Sequence, residues 1–185
     1  MKFYLLMAVL VFAIGVAISY VYDHLAIRWA VRRERKKLLA QMTSQPPVPA
    51  DFSTPEGAVL CLEDAFRLKD SKAAVACRDF VTEARLWLQE RGHLSSEEKT
   101  ARLQETALAM DRSFRATLEK GLPADWILGK SYFLPHEPFA DGIVAVNKYT
   151  QVPEGGLYSQ QILAAQTGKE WRMVKTLPPP LDDEP

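Results

Sequence analysis

His136 and Glu137 stand side by side between Pro135 and Pro138, and Asp141 follows a few residues on. Histidine titrates near neutral pH, so a histidine–carboxylate dyad could hold or pass a proton. Adjacent side chains in an extended chain point to opposite sides, however, which favours an ordinary exposed loop here. Of the remaining histidines, His24 lies just past an apolar run and His93 just after Gly92, where interfacial packing and a solvated turn account for them. Lys148 is the ionisable group in the middle of a predicted strand, and a solvated surface is its expected place. Cys61 and Cys77 are the only 2 cysteines, too few for a structural zinc site, and no CxxC or HxxxH spacing occurs. Glycine-rich phosphate loops and nucleophile elbows are missing as well. These residue types therefore predict no catalytic group, no metal and no cofactor.

Trp87, Trp126, Phe133, Tyr149, Tyr158 and Trp171 could line a ligand pocket, although small helix–sheet cores also use aromatics as filler, and packing is the preferred reading. On the predicted strands, Val144, Val146, Ile162, Ala164 and Val174 share one face. Ile143, Ala145, Asn147, Tyr149, Leu157, Ser159, Gln161, Leu163, Trp171 and Met173 share the other. Neither face carries an Asp, Glu or His, so the sheet offers no obvious general base.

The elements that position these residues fall into two blocks. Ser53-Thr54-Pro55-Glu56 opens a helix, with Thr54 as cap and proline in the first turn, ending near Asp70. A second helix runs from Ser71 to Gly92 with Ala73, Cys77, Phe80, Ala84 and Trp87 as its buried stripe. Ser95 to Glu98 has capping-box spacing and starts a third helix that reaches Lys120. The period then turns to alternation: Trp126–Leu134, a loop bracketed by Pro135 and Pro138, then Ile143–Val152, Leu157–Gln166 and Trp171–Leu177, the last three forming an antiparallel meander. The expected fold class is α+β, three helices packed on a curved antiparallel sheet. If the first two helices pack antiparallel, Cys61 and Cys77 could meet and form a disulfide; two small buried hydrophobes are the preferred reading.

Ahead of this domain, Phe3 to Tyr22 is an uncharged, mostly apolar run of 20 residues, long enough at about 1.5 Å per residue to span a bilayer core. Tyr4, Tyr20, Tyr22 and Trp29 suit the membrane interfaces. The run exceeds a signal-peptide core and continues through Tyr20, Val21 and Tyr22 beyond its small residues, so a retained anchor is expected. Arg28, Arg32, Arg33, Arg35, Lys36 and Lys37 follow it, against Lys2 before it. That bias predicts a single-pass protein of the bacterial inner membrane with its domain on the cytoplasmic side, a periplasmic domain being the alternative that a disulfide would favour. The same cluster could touch anionic headgroups of the lipid bilayer, although a topology signal suffices to explain it. The expected layout is 1–22 transmembrane helix, 23–44 basic helical stem, 45–52 proline-rich linker, 53–178 α+β domain and 179–185 disordered tail. Lys plus Arg and Asp plus Glu number 23 each. Without its basic stem the domain is mildly acidic, which argues against nucleic acid as a partner.

Several strings resemble the nuclear transport factor two-like superfamily, whose cone-shaped fold includes ketosteroid isomerase. They are Thr54-Pro55-Glu56-Gly57-Ala58-Val59, then Ala65-Phe66 and Lys69-Asp70, and finally Gly168-Lys169-Glu170-Trp171-Arg172-Met173-Val174. The resemblance covers Ser53 to Leu177 and implies a cone-like domain. Membrane-tethered members occur among secretion-system assembly proteins and envelope accessory proteins, and soluble members include toxin-neutralising immunity proteins. The leading expectation is a non-enzymatic protein-binding module, an assembly or accessory subunit of a bacterial membrane complex whose partners are other membrane-complex proteins. Homo-oligomerisation is left open. One alternative is a tethered immunity protein; another is a small-molecule-binding or isomerase-like enzyme with an apolar pocket.

Overall fold

The computed structural model describes residues 20, 22, 25–34, 36–44, 46–92, 94–123, 126–152 and 156–178. They fall into two compact units, 1–45 and 46–185. In the first, residues 25–34 and 36–43 are helical, and Thr43 Oγ1 and Ser44 Oγ turn back onto the carbonyls of Leu39 and Gln41 before Pro46 and Pro47. The apolar run over 3–22, apart from Tyr20 and Tyr22, lies outside the described residues, as do Arg35 and the tail. Among the described residues no helix is long and apolar enough to cross a membrane.

The second unit is α+β. Helix α1 spans Pro55–Leu68, its Thr54 hydroxyl accepting from Gly57 N–H at 3.0 Å, with proline in its first turn. Gly57 lies so close to the preceding segment that a Cβ there would sit 2.4 Å from the Asp51 carbonyl oxygen. That contact seats residues 48–52 against the domain, with Val48 and Phe52 packed on the core and Phe52 O accepting from Trp171 N–H. Helix α2 is Ser71–Ala76, α3 is Phe80–Glu90 and α4 is Ser96–Lys120, which starts with the reciprocal Ser95–Glu98 capping box. The sheet runs β1 (Lys130–Ala140), β2 (Ile143–Gln151), β3 (Leu157–Thr167) and β4 (Glu170–Leu177), antiparallel in the order β1-β2-β3-β4. This arrangement is consistent with a cone-like fold.

Three expectations need correction. The helix predicted over 71–92 is two helices, because the backbone at 77–79 leaves the helical path to join the sheet. Met173 N–H donates to Cys77 O at 2.9 Å, Asp79 N–H donates to Met173 O at 2.8 Å, and Asp79 then caps α3 through Thr82 N–H. The described domain thus has four helices where three were expected. Second, Pro135 and Pro138 lie inside β1. Register shifts at Leu134/Glu137 and Pro138/Ala140 absorb them, and β1 is an edge strand, where a missing N–H need not break a ladder bond.

Third, Val174 and Met173 exchange faces. The two-residue turn at Gly168-Lys169 sets a register in which Thr167 pairs with Glu170 and Ala164 with Met173, and paired residues share a face. Met173 therefore joins Val146, Ile162, Ala164 and Phe133 in the main core, which α1 covers with Val59, Leu62, Ala65 and Phe66. Val174 joins Ile143, Ala145, Leu163 and Ala165 on the opposite face, with Leu86 and Leu177 against them.

Candidate functional site

Helical spacing places Glu63 on the apolar side of α1, four residues after Val59 and three before Phe66. Strand alternation gives Lys148 the same parity as Val144 and Val146, so both charges enter the main core. There Glu63 Oε1 lies 2.6 Å from Lys148 Nζ, and both side chains are fully buried. The expectation of a solvated Lys148 is therefore overturned: an acid from the facing helix neutralises it.

The groups around the pair complete its hydrogen bonding. Ser131 Oγ donates to the Glu63 carboxylate, 2.8 Å from Oε2 and 2.9 Å from Oε1, and Arg67 Nη2 lies 3.3 Å from Oε2. Arg67 is itself anchored by donating to Gly129 O at 2.9 Å. Lys148 donates to Gln160 Oε1 at 3.0 Å and, at a long 3.5 Å, to Ile127 O. Its ammonium also sits 4.4 Å from the centroid of the Trp126 ring, on whose face a desolvated cation is attracted. Burial pushes the Lys148 pKa down, the Glu63 carboxylate opposes that shift, and the Arg67 charge adds to it. The acid and the base of this core are thus each other's partners.

The six aromatic candidates do not converge on one pocket. Trp126 and Phe133 are buried in the main core, with Phe66 edge-on to Trp126 at 5.4 Å, and Trp171 packs at the core's margin. Tyr149 is half-buried on the opposite sheet face, paired across β1 with Tyr132. Tyr158 is 48 % exposed. Trp87 lies on the surface of α3 under the Arg91 guanidinium, 3.8 Å from its ring centroid.

His136 bonds to Glu56 of α1, Nδ1 to Oε1 at 2.8 Å, with Trp171 beside it, and not to Glu137, which faces elsewhere along the strand. His24 and His93 lie outside the described residues. Arg28, Arg32, Arg33, Lys36 and Lys37 are exposed along the stem helix, where Lys37 pairs with Glu34. Among the described residues, no three His, Cys, Asp or Glu side chains come together closely enough to hold a metal ion.

Cys61 and Cys77 are free thiols in the same core cluster, Cys61 half-buried and Cys77 buried. Burial raises both, and it pushes Cys77 up to about 12 from an ordinary 9.0. A group that keeps its proton when folded and loses it when unfolded makes the unfolded state bind fewer protons above that ordinary value. Stability should then fall as pH climbs from 9.0 toward about 12, by up to about 1.4 kcal/mol per pH unit. Urea titrations of the wild type and Cys77→Ala across that range check this: the downward slope should be shallower in the variant.

Comparison with known proteins adds little. No family model matches the chain, and no curated protein matches it. A crystal structure of a protein provisionally named an NTF2-like transpeptidase, from Campylobacter jejuni, aligns with 66 % of this chain and 98 % of that one. The identity is 14 % and the TM-score 0.34, too low to carry an argument about this chain.

Proposed function

We propose that this chain is a non-enzymatic protein-binding module held at a bacterial membrane by the run over 3–22, working as an assembly or accessory subunit of a membrane complex. The observation that carries the reading is the Glu63–Lys148 pair, whose fully buried acid and base are 2.6 Å apart and saturated by Ser131 and Gln160. A domain that commits its deepest ionisable groups to each other acts through its surface. That surface presents Val81, Trp87, Leu108 and Leu122 as exposed apolar side chains, and the tryptophan among them is of a type enriched at contact sites. The apolar run and the basic stem supply the tether and its orientation.

The test uses full-length chain tagged at its carboxyl terminus and purified from mildly solubilised membranes. The Glu63→Leu/Lys148→Met double variant, which removes both ionisable groups, should recover the same partner proteins in the same ratio as the wild type. A folded double variant that keeps its partners yet fails to support their activity would contradict the reading, because it would give the buried pair a chemical role.

A further inference from the structure

Helix α3 ends at Glu90, and Arg91 leaves helical geometry to start the turn into α4, where Leu94 N–H donates to Arg91 O at 3.2 Å. From Ser96 onward α4 packs back along α3. Ala84 and Leu88 on α3 and Ala107 on α4 are buried, and two alanines let the helices approach closely. Where α3 ends, an open cleft of about 680 Å³ remains between the two helices, with Trp87, Arg91, Leu94, Arg102, Glu105 and Met110 among its walls.

The charges of this cleft are unbalanced. Arg91 and Arg102 share it with one acid, Glu105, and among the described residues neither arginine forms an ion pair. Arg91 lies instead on Trp87, its guanidinium carbon 3.8 Å from the ring centroid. A guanidinium laid on a ring keeps its N–H edge free to fork a carboxylate. The same contact holds Trp87 down, so that its ring is only 36 % exposed.

We infer that this cleft is the partner-contact site and that its occupant is a segment of another protein pairing an acidic side chain with a bulky apolar one. Arg91 and Arg102 take the carboxylate, and Trp87, Leu94 and Met110 receive the apolar side chain. The inference rests on the protein-binding reading and gives it a face and a partner chemistry. Charge selects the occupant, since a basic segment would meet two arginines and a single acid. Nucleic acid would need a wider basic face than two arginines on a mildly acidic domain. Aromatic rings that enter a bilayer project from the surface, whereas Trp87 lies under Arg91. Tryptophan and arginine are the side chains that most often dominate interface energy, and here each holds the other in place before binding.

The experiment uses the full chain released from its own membranes in mild detergent, with assembly read by native mass spectrometry. In one sample Ala109, exposed on the cleft, is replaced by the photocrosslinker benzoylphenylalanine, and the crosslinked peptide is sequenced. The expected crosslink is to a protein of different sequence, within a few residues of an Asp or Glu. Arg102→Glu should weaken the assembly at least about tenfold and Arg102→Gln about threefold, as for an anchoring arginine. Arg102 is exposed, so both variants should unfold at the wild-type urea concentration. Val81→Ser, exposed on α3 but outside the cleft, should leave the assembly unchanged. An assembly that withstands Arg91→Gln/Arg102→Glu, an equal loss with Val81→Ser, or a crosslink to a basic segment or to lipid would overturn the assignment and leave the contact reading standing. A wild-type chain found only as the monomer would remove the contact reading itself, and this site with it.

Discussion

Replacing Glu63 with leucine is expected to destabilise the domain by about 3–5 kcal/mol, while replacing Glu63 and Lys148 together, by leucine and methionine, restores most of that loss. A fully buried ion pair is stable because each charge offsets the other's desolvation. Removing the acid leaves an ammonium whose partners among the described residues are Gln160, the Ile127 carbonyl and the Trp126 ring. Lys148→Met is expected near the lower end of the range, because Glu63 keeps Ser131 and Arg67. The double variant exchanges the pair for apolar volume and is expected within about 1 kcal/mol of wild type, or above it. Against a total stability of roughly 5–15 kcal/mol, the single changes bring the fold close to its limit. Urea unfolding followed by tryptophan fluorescence measures all four proteins.

The same variants carry a pH signature. Glu63 is what holds the Lys148 pKa up against burial, so Glu63→Leu lowers it further below the ordinary 10.5. The folded state then releases its proton before the unfolded state does. Stability of Glu63→Leu should therefore rise with pH through the folded pKa and level off near 10.5, with the penalty in full below that range. Glu63→Leu/Lys148→Met should lack this rise. A single-variant cost that stays constant with pH would place the loss in packing and not in charge.

This pair also marks what was legible in the sequence and what was not. The α1 cap at Thr54, the Ser95–Glu98 box, and the turns at Asp141-Gly142 and Gly168-Lys169 are local signals, and local signals placed α1, α4 and the meander. Where the chain was diverted by a distant partner, local reading failed. The break at 77–79 comes from hydrogen bonds to Met173, nearly a hundred residues away, whereas the faces of Met173 and Val174 follow from the Gly168-Lys169 turn, whose register pairs Met173 with Ala164. Glu63 and Lys148 belong to a third kind. Both sat in apolar register, Glu63 between Val59 and Phe66 and Lys148 in step with Val144 and Val146. Charge alone assigns Lys148 to the surface, and Glu63 does not stand out without its partner. An acid and a base that both violate the pattern, on elements predicted to face one another, are the signal that would have found the site.

Deleting residues 3–22 should have the largest effect on location. The run of 20 uncharged residues is the chain's only segment with the length and polarity of a membrane anchor. The full chain is expected to stay with membranes after alkaline carbonate extraction. The deleted chain should move almost wholly to the supernatant while unfolding at the same urea concentration, since residues 46–178 form a compact unit with their own core. The exposed basic residues of the stem would retain part of the deleted chain on anionic vesicles at low salt and release it as salt rises. A deleted chain that still resists carbonate extraction would place the anchor elsewhere.

The claim that this protein works by contact at a membrane is tested most directly by native mass spectrometry of the full chain released from its own membranes in mild detergent. The account predicts an assembly well above the 20.8 kDa of the single chain, containing at least one protein of different sequence at fixed stoichiometry. The 20.8 kDa chain alone, found repeatedly across several mild detergents, would contradict it.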